Sequence, residues 1–430
     1  MILTVFLIRV VCTGSYRMQT SIAVELRNTS TGREADEILR KCVHCGFCNA
    51  TCPTYQILGD ELDGPRGRIY LIKQMMEGEK PDREINLHLD RCLTCRNCET
   101  TCPSGVEYSK LLEIGRGLVA ENVKRGLLEQ LGRNSIAFIL RNPALFRFLV
   151  SIGRLVRPVL PEILRIKIPV SAPKRAVAGR DSWPVNRHPR KMIALAGCAQ
   201  SALAPSTNLT AAHVLDKLGI SLIEAQRAGC CGAVDLHTTS EDKARHVARQ
   251  LIDAWWPYAE VTQNTSDSFE GFVMTASGCG VTIKEYPHLF RHDTEYLEKA
   301  RVIAAKTRDL SEVLDQEIKS DFSVQNASRK VAFHPPCTLQ HGQKLSGKVE
   351  GILSRVGYSL VIIPDSHLCC GSAGTYSLFQ PELSGQLKKN KLNAIASVNP
   401  DVVCSANIGC QSHLSVEGAE PVKHWVELLI

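Results

Sequence analysis

The 430-residue sequence predicts a helical amino-terminal domain followed by two copies of an α/β domain with a parallel sheet. Three observations lead to this prediction. Eight cysteines in the first quarter of the chain form two runs of identical spacing, and a second set of cysteine elements repeats in the last 240 residues. Around that repeat, strand-like and helical segments alternate, which is typical of parallel sheets covered by helices.

Both amino-terminal runs have the spacing CxxCxxCxxxCP, which is typical of proteins that bind iron–sulfur cubanes. The first run is Cys42, Cys45, Cys48 and Cys52, and the second is Cys92, Cys95, Cys98 and Cys102. In this pattern the fourth cysteine of one run ligates the cluster of the other run. The predicted ligand sets are Cys42, Cys45, Cys48 and Cys102 for one [4Fe–4S] cluster, and Cys92, Cys95, Cys98 and Cys52 for the other. We therefore expect a two-cluster, ferredoxin-like domain over residues 18–125.

Structural zinc and disulfides explain these runs less well. A zinc site usually combines two CxxC pairs, whereas each run here has a third cysteine two residues further on and a trailing Cys-Pro. We interpret His44 as a spacer, because sulfur already fills every ligand position. The forty positions between Cys52 and Cys92 predict intervening helices. There, Arg66 and Arg68 either screen the negative charge of thiolate-ligated clusters or form a solvated basic turn.

The compartment follows from the eighteen cysteines, because thiolates must stay reduced to bind iron. We expect the protein to be cytoplasmic. Residues 1–17 are apolar but too short to span a bilayer and lack the basic start of a signal peptide. We interpret them as a mis-called start and expect translation from Met18.

Residues 126–190 are expected to form a basic linker. The segment 124–191 contains fifteen Lys and Arg against three acidic residues, whereas the whole chain carries a net charge of only +7. Such a localised charge favours a docking surface and not general nucleic-acid binding. Asn142 and Pro143 predict the start of an amphipathic helix before Pro158, with Leu145, Phe148, Leu149, Ile152 and Val156 on one face. This helix either contacts an anionic membrane surface, docks on a partner, or packs on its own protein. The segment from Pro169 to Pro189 is expected to be an exposed tether.

The repeat divides the remainder into domains over residues 191–328 and 329–430. Its first copy contains Cys198, Cys230, Cys231 and Cys279, and its second contains Cys337, Cys369, Cys370 and Cys410. The interval from the first cysteine to the CCG element is 32 residues in both copies. Strands are predicted at Met192–Ala196, Leu222–Ala225, Phe272–Ala276, Val331–Phe333, Leu360–Ile363 and Val402–Cys404.

Each cysteine element therefore follows the carboxyl end of a strand, where open α/β sheets bind their ligands. Gly232 and Gly371 would let the backbone turn, so that neighbouring thiols can address one site. We predict a further metal or redox site at the four cysteines of each copy. The alternative is that some of these cysteines are structural and buried. Cys404 and Cys12 belong to no group and are interpreted as incidental.

The sequence has no dinucleotide-binding, Walker A or zinc-protease motif, and we assign no catalytic residue. A flavin or other hydride acceptor is therefore expected on another polypeptide.

These motifs identify a resemblance that covers the chain from about Met18 onward. The segments CVHCGFCNATCPTYQILGDELDGPRGRIYLIKQ, HLDRCLTCRNCETTCPSG, AGCCGAVD, ASGCG, HLCCGSAGTY and ANIGCQSHL resemble the iron–sulfur subunits of bacterial glycolate oxidase. The resemblance implies two partner subunits that carry FAD and oxidise glycolate to glyoxylate. It implies that this chain passes the electrons on towards the membrane quinone pool, on the cytoplasmic face of the inner membrane.

Related families leave alternatives open. The combination of motifs is shared with iron–sulfur subunits of lactate-utilisation enzymes and of anaerobic glycerol-3-phosphate dehydrogenase, and with heterodisulfide reductase relatives. In heterodisulfide reductase the CCG cysteines bind unusual clusters with help from a CxxC pair. Here Cys279 and Cys410 each lack such a neighbouring cysteine, which leaves a simpler four-cysteine site or a structural role open. A disulfide-reducing enzyme and a scaffold remain the rival functions.

Overall fold

The computed structural model describes residues 18–159, 182–238, 240–260, 269–319, 322–324 and 327–430. The chain divides into two compact units. In the described part, the first unit contains residues 18–92 and 98–123, and the second contains residues 93–97 and 124–430. Residues 1–17, including Cys12, and the part of the expected tether before residue 182 lie outside the described residues.

The first unit is built from helices, and no strand is assigned among its described residues. Its helices are Val24–Arg27, Ser30–Lys41, Phe47–Ala50, Pro53–Leu58, Pro65–Met76, Arg83–Asp90 and Tyr108–Asn122, with a 3₁₀ turn at Glu61–Asp63. A further helix, Asn97–Thr101, begins on a residue that is counted with the second unit. The helices that the long gap between the two cysteine runs predicted are therefore present.

Local sequence signals explain where these helices begin and end. Thr29 caps helix Ser30–Lys41, because its side-chain oxygen accepts a hydrogen bond from the Gly32 N–H. The same helix buries Ala35, Ile38 and Leu39, whose spacing of three and four residues places them on one face. That face contributes to a core with residues of the two longest remaining helices, Ile72, Met76, Leu111 and Leu112.

The longer segment of the second unit starts at residue 124. It begins with two helices of the predicted linker, Leu127–Arg141 and Pro143–Val156, and a 3₁₀ turn at Arg157–Val159. Pro143 occupies the first turn of its helix, as predicted. Asn142 is the residue that precedes this helix, as predicted, but its side chain makes no capping hydrogen bond to it. Its side-chain amide donates to the Phe138 carbonyl at 2.9 Å, so it ends the preceding helix and does not cap the next one.

The predicted apolar face of helix Pro143–Val156 is largely exposed. Phe148 is 61% exposed and Ile152 is 42% exposed, whereas Val150 on another face is the buried residue of this helix. The preceding helix also exposes large apolar side chains, of which Leu127 and Leu128 are the most accessible. In the described part of the chain, no single helix is long and apolar enough to cross a membrane. These two helices meet that test only together, as a pair bent by 104°.

Two four-stranded parallel sheets form the centre of the second unit. The first has the order β2-β1-β3-β4, with β1 Arg190–Ala194, β2 Ile220–Glu224, β3 Phe269–Met274 and β4 Thr307–Asp309. The second has the order β6-β5-β7-β8, with β5 Lys330–His334, β6 Ser359–Leu360, β7 Val402–Ser405 and β8 Lys423–His424. The two sheets thus repeat one topology, as the internal repeat predicted.

Helices connect these strands, as the alternating pattern predicted. In the first copy they are Cys198–Leu203, Ser206–Lys217, Ala233–His237, Glu241–Glu260, Ser277–Lys284, Tyr286–Leu289, Leu297–Lys306 and Leu310–Glu317. In the second copy they are Lys348–Arg355, Tyr376–Phe379, Pro381–Ala396 and Ile408–Leu414, with a π-helical turn at Thr338–Gly342 and a 3₁₀ turn at Trp425–Leu429.

All six predicted strands overlap an observed strand, but two features were missed. Strand β6 ends at Leu360, so the predicted extension to Ile363 was wrong. Strands β4 and β8 were not predicted, because they are only three and two residues long and carry no alternating apolar pattern.

The two copies share one hydrophobic core within the second unit. One cluster of buried residues combines Met192, Leu215 and Val273 of the first copy with Val331 and Trp425 of the second. The copies therefore fold against each other and not as separate modules.

Candidate metal centres

The two cysteine runs of the first quarter adopt the same backbone turns. In the first run His44 and Gly46 have positive φ angles of 55° and 82°, and in the second run Thr94 and Arg96 have positive φ angles of 55° and 61°. A β-branched residue such as Thr94 rarely adopts this conformation, which is costly without a compensating role. The repeated positive φ angles indicate that both loops hold the same local backbone geometry.

The structure brings together the four thiols predicted for the first cluster. Burial, together with the nearby Cys42, Cys102 and Cys45, raises the pKa of Cys48 to about 12. The pKa of Cys42 is raised by burial, with contributions from Cys102 and Cys45. Cys102 belongs to the second run, so this site combines three cysteines of the first run with one of the second, as the crossed arrangement requires. A cavity in the first unit is lined by these thiols and by Cys98, Arg66 and Tyr108, among others.

Two thiols predicted for the second cluster, Cys92 and Cys52, lie near a buried arginine in the first unit. Arg68 is only 1% exposed. Burial lowers the pKa of Arg68, but the neighbouring Cys92, Tyr108 and Cys52 raise it more, so the net shift is upward. The Tyr108 hydroxyl donates to Cys92 Sγ at 3.6 Å, and burial, Cys92 and Cys98 raise the pKa of Tyr108. Cys95 lies on segment 93–97, which is counted with the second unit.

A buried ion network holds Arg68 in place. The Asp63 carboxylate is fully buried and lies 3.3 Å from Arg68 Nη2 and 2.7 Å from Arg91 Nη1. Thr54 joins this network to the sulfur site, because its hydroxyl donates to the Asp63 carbonyl and lies 3.2 Å from Cys52 Sγ. Two guanidinium groups thus face one carboxylate, and the net positive charge can offset thiolate charge.

The two arginines of the predicted basic turn therefore differ. Arg68 is buried beside Cys52 and Cys92, which excludes the solvated alternative for this residue. Arg66 is partly exposed and pairs with Glu61 at 2.6 Å, although Cys48 also raises the pKa of Arg66. These thiol groups, strained loops and cationic neighbours fit thiolate-ligated iron–sulfur clusters.

In the first α/β copy the four predicted cysteines form a continuous chain of sulfur contacts. Cys230 Sγ lies 3.5 Å from Cys198 Sγ, and Cys231 interacts with both Cys230 and Cys279. Hydrogen bonding with Cys198 and Cys231 holds the pKa of Cys230 well below its ordinary value. Gly232 has a φ of 85°, and its N–H donates to Cys230 Sγ at 3.4 Å. The glycine turn thus allows both adjacent cysteines to reach one site.

Two charged residues near these sulfurs had not been singled out from the sequence. Asp235 is fully buried, and Arg141 of the linker lies 3.6 Å from its carboxylate. Arg141 also contributes to the lowered pKa of Cys230, and burial raises the pKa of Asp235. Only contacts between segments distant in sequence create this group, so no local pattern could have predicted it.

The second copy has the same chain of sulfurs. Cys337 interacts with Cys369, Cys369 with Cys370, and Cys370 with Cys410. The N–H of Gly371, whose φ is 92°, donates to Cys369 Sγ at 3.4 Å. The buried Lys391 is close enough for the charges of Cys337, Cys370 and Cys369 to act on it, although burial lowers the pKa of Lys391 overall.

One member of the second site had not been predicted. A ring nitrogen of His334 and the Sγ atoms of Cys370 and Cys410 lie within 4.8 Å of one another. His334 ends β5 and is fully buried. The sequence signal that could have found it is its position three residues before Cys337, at the carboxyl end of a strand.

The remaining sequence predictions are placed as follows. Cys404 lies in β7 and is fully buried, and burial raises the pKa of its thiol. Cys95 lies near the site of the second copy. Hydrogen bonding with Cys337 lowers the pKa of Cys369, but Cys370, burial and the charge of Cys95 raise it, and the net shift is upward. Segment 93–97 is further attached within the second unit by an Arg96–Glu285 ion pair and by a hydrogen bond from Asn97 to the His367 carbonyl.

Comparison with known proteins agrees with this arrangement. Residues 38–106 match the 4Fe-4S dicluster domain family, and residues 193–284 and 331–415 match the cysteine-rich domain family. The Escherichia coli glycolate oxidase iron-sulfur subunit is 51% identical over 96% of this chain and 98% of its own length.

More distant relatives include a Bacillus subtilis protein named as a probable glycolate oxidase iron-sulfur subunit, which is 26% identical over 94% of this chain and 96% of its own length. Lactate utilization protein A of Geobacillus thermodenitrificans is 30% identical over 46% of this chain and 79% of its own length. The first match spans nearly all of both chains, and on that ground this chain belongs to the family of glycolate oxidase iron–sulfur subunits.

Proposed function

We propose that this chain is the electron-transfer subunit of a glycolate-oxidising complex. In this proposal two partner subunits carry FAD and convert glycolate to glyoxylate, and this chain receives the electrons on two [4Fe–4S] clusters. Cys42, Cys45, Cys48 and Cys102 would hold one cluster, and Cys92, Cys95, Cys98 and Cys52 the other. The observation that carries the proposal is the convergence of Cys102 with three cysteines of the other run, because this crossed arrangement is typical of two-cluster carriers.

The clusters supply one-electron redox chemistry, and the residues of this chain supply the surroundings. Cys42 is buried and Cys45 is exposed, so the first site combines shielding from water with access on one side. The Arg68 guanidinium and the Tyr108 hydroxyl lie near sulfurs of the other site. A positive charge and a hydrogen-bond donor at this place would favour the reduced state of a cluster bound there. The proximity of Cys95 to Cys369 supports an onward route into the second cysteine-rich copy.

The first test is metal content together with activity. Purified without oxygen, the chain is expected to contain about eight irons in cubanes and to show no glycolate oxidation by itself. Cys45→Ser is expected to lose one cubane signal in electron paramagnetic resonance and to abolish turnover in the assembled complex. Cys404→Ala is the matched control, because this cysteine lies outside every sulfur group. Glycolate oxidation by the isolated chain, or a colourless protein that binds zinc at the eight cysteines, would contradict the proposal.

We also propose that the chain works in the cytoplasm and contacts the inner membrane through its linker helices. Phe148, Leu155 and Leu128 are 61%, 81% and 87% exposed, and arginines lie on the same helices. Exposed apolar side chains next to cationic ones favour an anionic lipid surface, near which quinones are available.

Vesicle binding tests this part separately. The chain is expected to float with vesicles containing anionic lipid and not with purely zwitterionic ones, and Phe148→Ser combined with Leu155→Ser is expected to abolish flotation. If flotation fails while the double variant also fails to assemble with the flavin-carrying subunits, these helices form a protein interface instead.

A disulfide reductase is the second candidate, because two thiols in the first copy lie only 3.5 Å apart and the pKa of Cys230 is lowered. Replacing Cys230 and Cys231 by serine distinguishes the candidates. Loss of iron beyond the share of the two cubanes indicates a further cluster, whereas unchanged iron with loss of a disulfide-reducing activity favours the second candidate.

A further inference from the structure

The two cysteine-rich copies differ at one buried position beside their sulfurs. His334 stands three residues before Cys337, whereas Leu195 stands three residues before Cys198. Both side chains are buried, with exposed fractions of 0% and 4%. The second copy therefore has a buried imidazole where the first copy has a buried apolar side chain.

The contacts of His334 are unusual for a structural histidine. Among the described residues, neither of its ring nitrogens has a hydrogen-bond partner. A buried polar group without a partner has lost its hydration without a compensating hydrogen bond, which destabilises the fold. His424, which is equally buried in the same copy, has both ring nitrogens occupied: Nδ1 accepts from the Val426 N–H and Nε2 lies 2.8 Å from the Thr275 carbonyl.

The groups nearest to the imidazole are thiols. A ring nitrogen of His334 and the Sγ atoms of Cys370 and Cys410 all lie within 4.8 Å of one another. One metal ion that binds all three atoms would give that ring nitrogen a partner. Metal binding requires a neutral imidazole, and the complete burial of His334 favours the neutral form of the ring.

We propose that the second copy holds a thiophilic metal centre with His334, Cys370 and Cys410 as ligands, and that the first copy has no equivalent imidazole-ligated centre. The inference rests on the metal site that the sequence predicts at the cysteine-rich copies, and it adds a ligand to that site. Cys369 continues the chain of sulfur contacts from Cys370 and is available to complete the coordination. Mixed thiolate and imidazole ligation is common to zinc sites and to the histidine-ligated iron of some clusters.

The charge around this site fits such a centre. Lys391 is 3% exposed, its amine donates to the Asp365 carbonyl at 2.6 Å, and the charges of three site thiols act on it. Lys388 lies near Cys370 as well. These two cations can offset part of the negative charge that several thiolates leave around a divalent metal.

Metal analysis of the full chain, purified without oxygen, tests the proposal. Two cubanes account for about eight irons. Wild-type protein is expected to contain further metal, either about one zinc ion or additional iron. His334→Leu introduces the residue of the first copy and is expected to lose this excess while the cubane signals remain. His334→Cys offers another ligand for a thiophilic metal and is expected to retain the excess.

X-ray absorption of the wild-type protein keeps the test decisive if the leucine variant fails to fold. The zinc edge distinguishes a zinc site, and the iron edge with pulsed electron paramagnetic resonance distinguishes a histidine-ligated cluster. Either arm is expected to show one imidazole nitrogen bound to the metal. Sulfur-only coordination, no metal beyond the cubanes, or an undiminished excess in His334→Leu would overturn the inference. Loss of the cubanes themselves would instead contradict the electron-transfer proposal.

Discussion

The two cysteine-rich copies share their backbone plan but differ in the side chains placed on it. Both sheets have the same strand order, and both fourth strands lead into a short helix that starts with a capping box. In the first copy the capping residue is Asp309, and in the second it is His424. Duplication has thus preserved the requirement for a hydrogen-bond acceptor at this position while changing its acid–base chemistry.

The same contrast recurs around the sulfurs. Four residues after the second cysteine of its CCG element, the first copy has the buried Asp235, which faces Arg141, whereas the second copy has Gly374. At the strand end, Leu195 of the first copy corresponds to His334 of the second. The glycine after each CCG element is unchanged. Backbone constraints therefore persist in both copies, and the polar groups that set reactivity have diverged.

The largest effect that we expect comes from the shared glycine turn. A Cβ added at Gly371 would lie 2.6 Å from the Ser384 carbonyl oxygen, and φ is 92°. At Gly232 the nearest atom, the Ala244 carbonyl oxygen, would lie at 3.0 Å. Gly371→Ala is expected to cost about 3–5 kcal/mol of unfolding free energy, because left-handed strain and a backbone clash add. Gly232→Ala is expected to cost about 1–2 kcal/mol, mainly through strain.

Urea unfolding followed by far-ultraviolet circular dichroism measures both changes. Gly385→Ala is the control, because this helical glycine has open space around its Cβ position, and we expect a gain of about 0.5–1 kcal/mol. If the two turn variants lose equal stability, or if the change at Gly232 costs more, then the two turns are not held by the contacts described here.

The next effect separates the two capping residues by pH. Burial lowers the pKa of His424 to about 4, and its Nδ1 must stay unprotonated to accept the Val426 N–H. The unfolded chain protonates this imidazole near its ordinary pKa of 6.5. Between about pH 6.5 and pH 4 the unfolded state therefore binds more protons, and stability falls as the pH falls. We expect a loss of roughly 2–4 kcal/mol across this window.

The fully buried Trp425 next to His424 gives a fluorescence signal for unfolding of this region. His424→Asn keeps a residue that can cap a helix but removes the titrating ring, so the acid-induced loss is expected to become smaller than in the wild type. The two proteins are compared at pH 8 first, to measure the pH-independent effect of the substitution. Identical acid slopes in both proteins would show that His424 does not cause the loss.

The comparison also explains what the sequence could and could not predict. Six strands and both sheets were predicted from apolar runs, because a parallel strand that is buried on both faces is a nearly uninterrupted run of apolar residues. Strands β4 and β8 carry Asp309 and His424 at their ends and are too short for a periodic signal. Their presence depends on pairing with β3 and β7, which are supplied from elsewhere in the chain.

At the first candidate cluster site, spacing alone predicted that Cys102 lies near Cys42, Cys45 and Cys48, because possible sulfur ligands are marked by residue type. The groups around them were not predictable in this way. Arg68 was considered only as a screening charge, and its burial between Cys52 and Cys92 depends on the Asp63 network, which joins three separate segments. In the sequence, nothing distinguishes His334 from other strand residues, because its proximity to Cys370 and Cys410 arises only in the folded chain.

The smallest effect that we expect concerns the capping residue of the first copy. Burial raises the pKa of Asp309, although its carboxylate accepts hydrogen bonds from the Ser311 N–H and hydroxyl. A carboxyl group with a raised pKa destabilises the folded state at neutral pH, and this penalty is relieved as the pH falls through the raised value. Asp309→Asn keeps an oxygen for the cap and removes the charge, so it is expected to stabilise by about 1 kcal/mol at pH 7. This advantage is expected to vanish in acid, opposite in sign to the effect of His424. An advantage that grows in acid would contradict the assignment, and urea midpoints at pH 7 and pH 4.5 measure it.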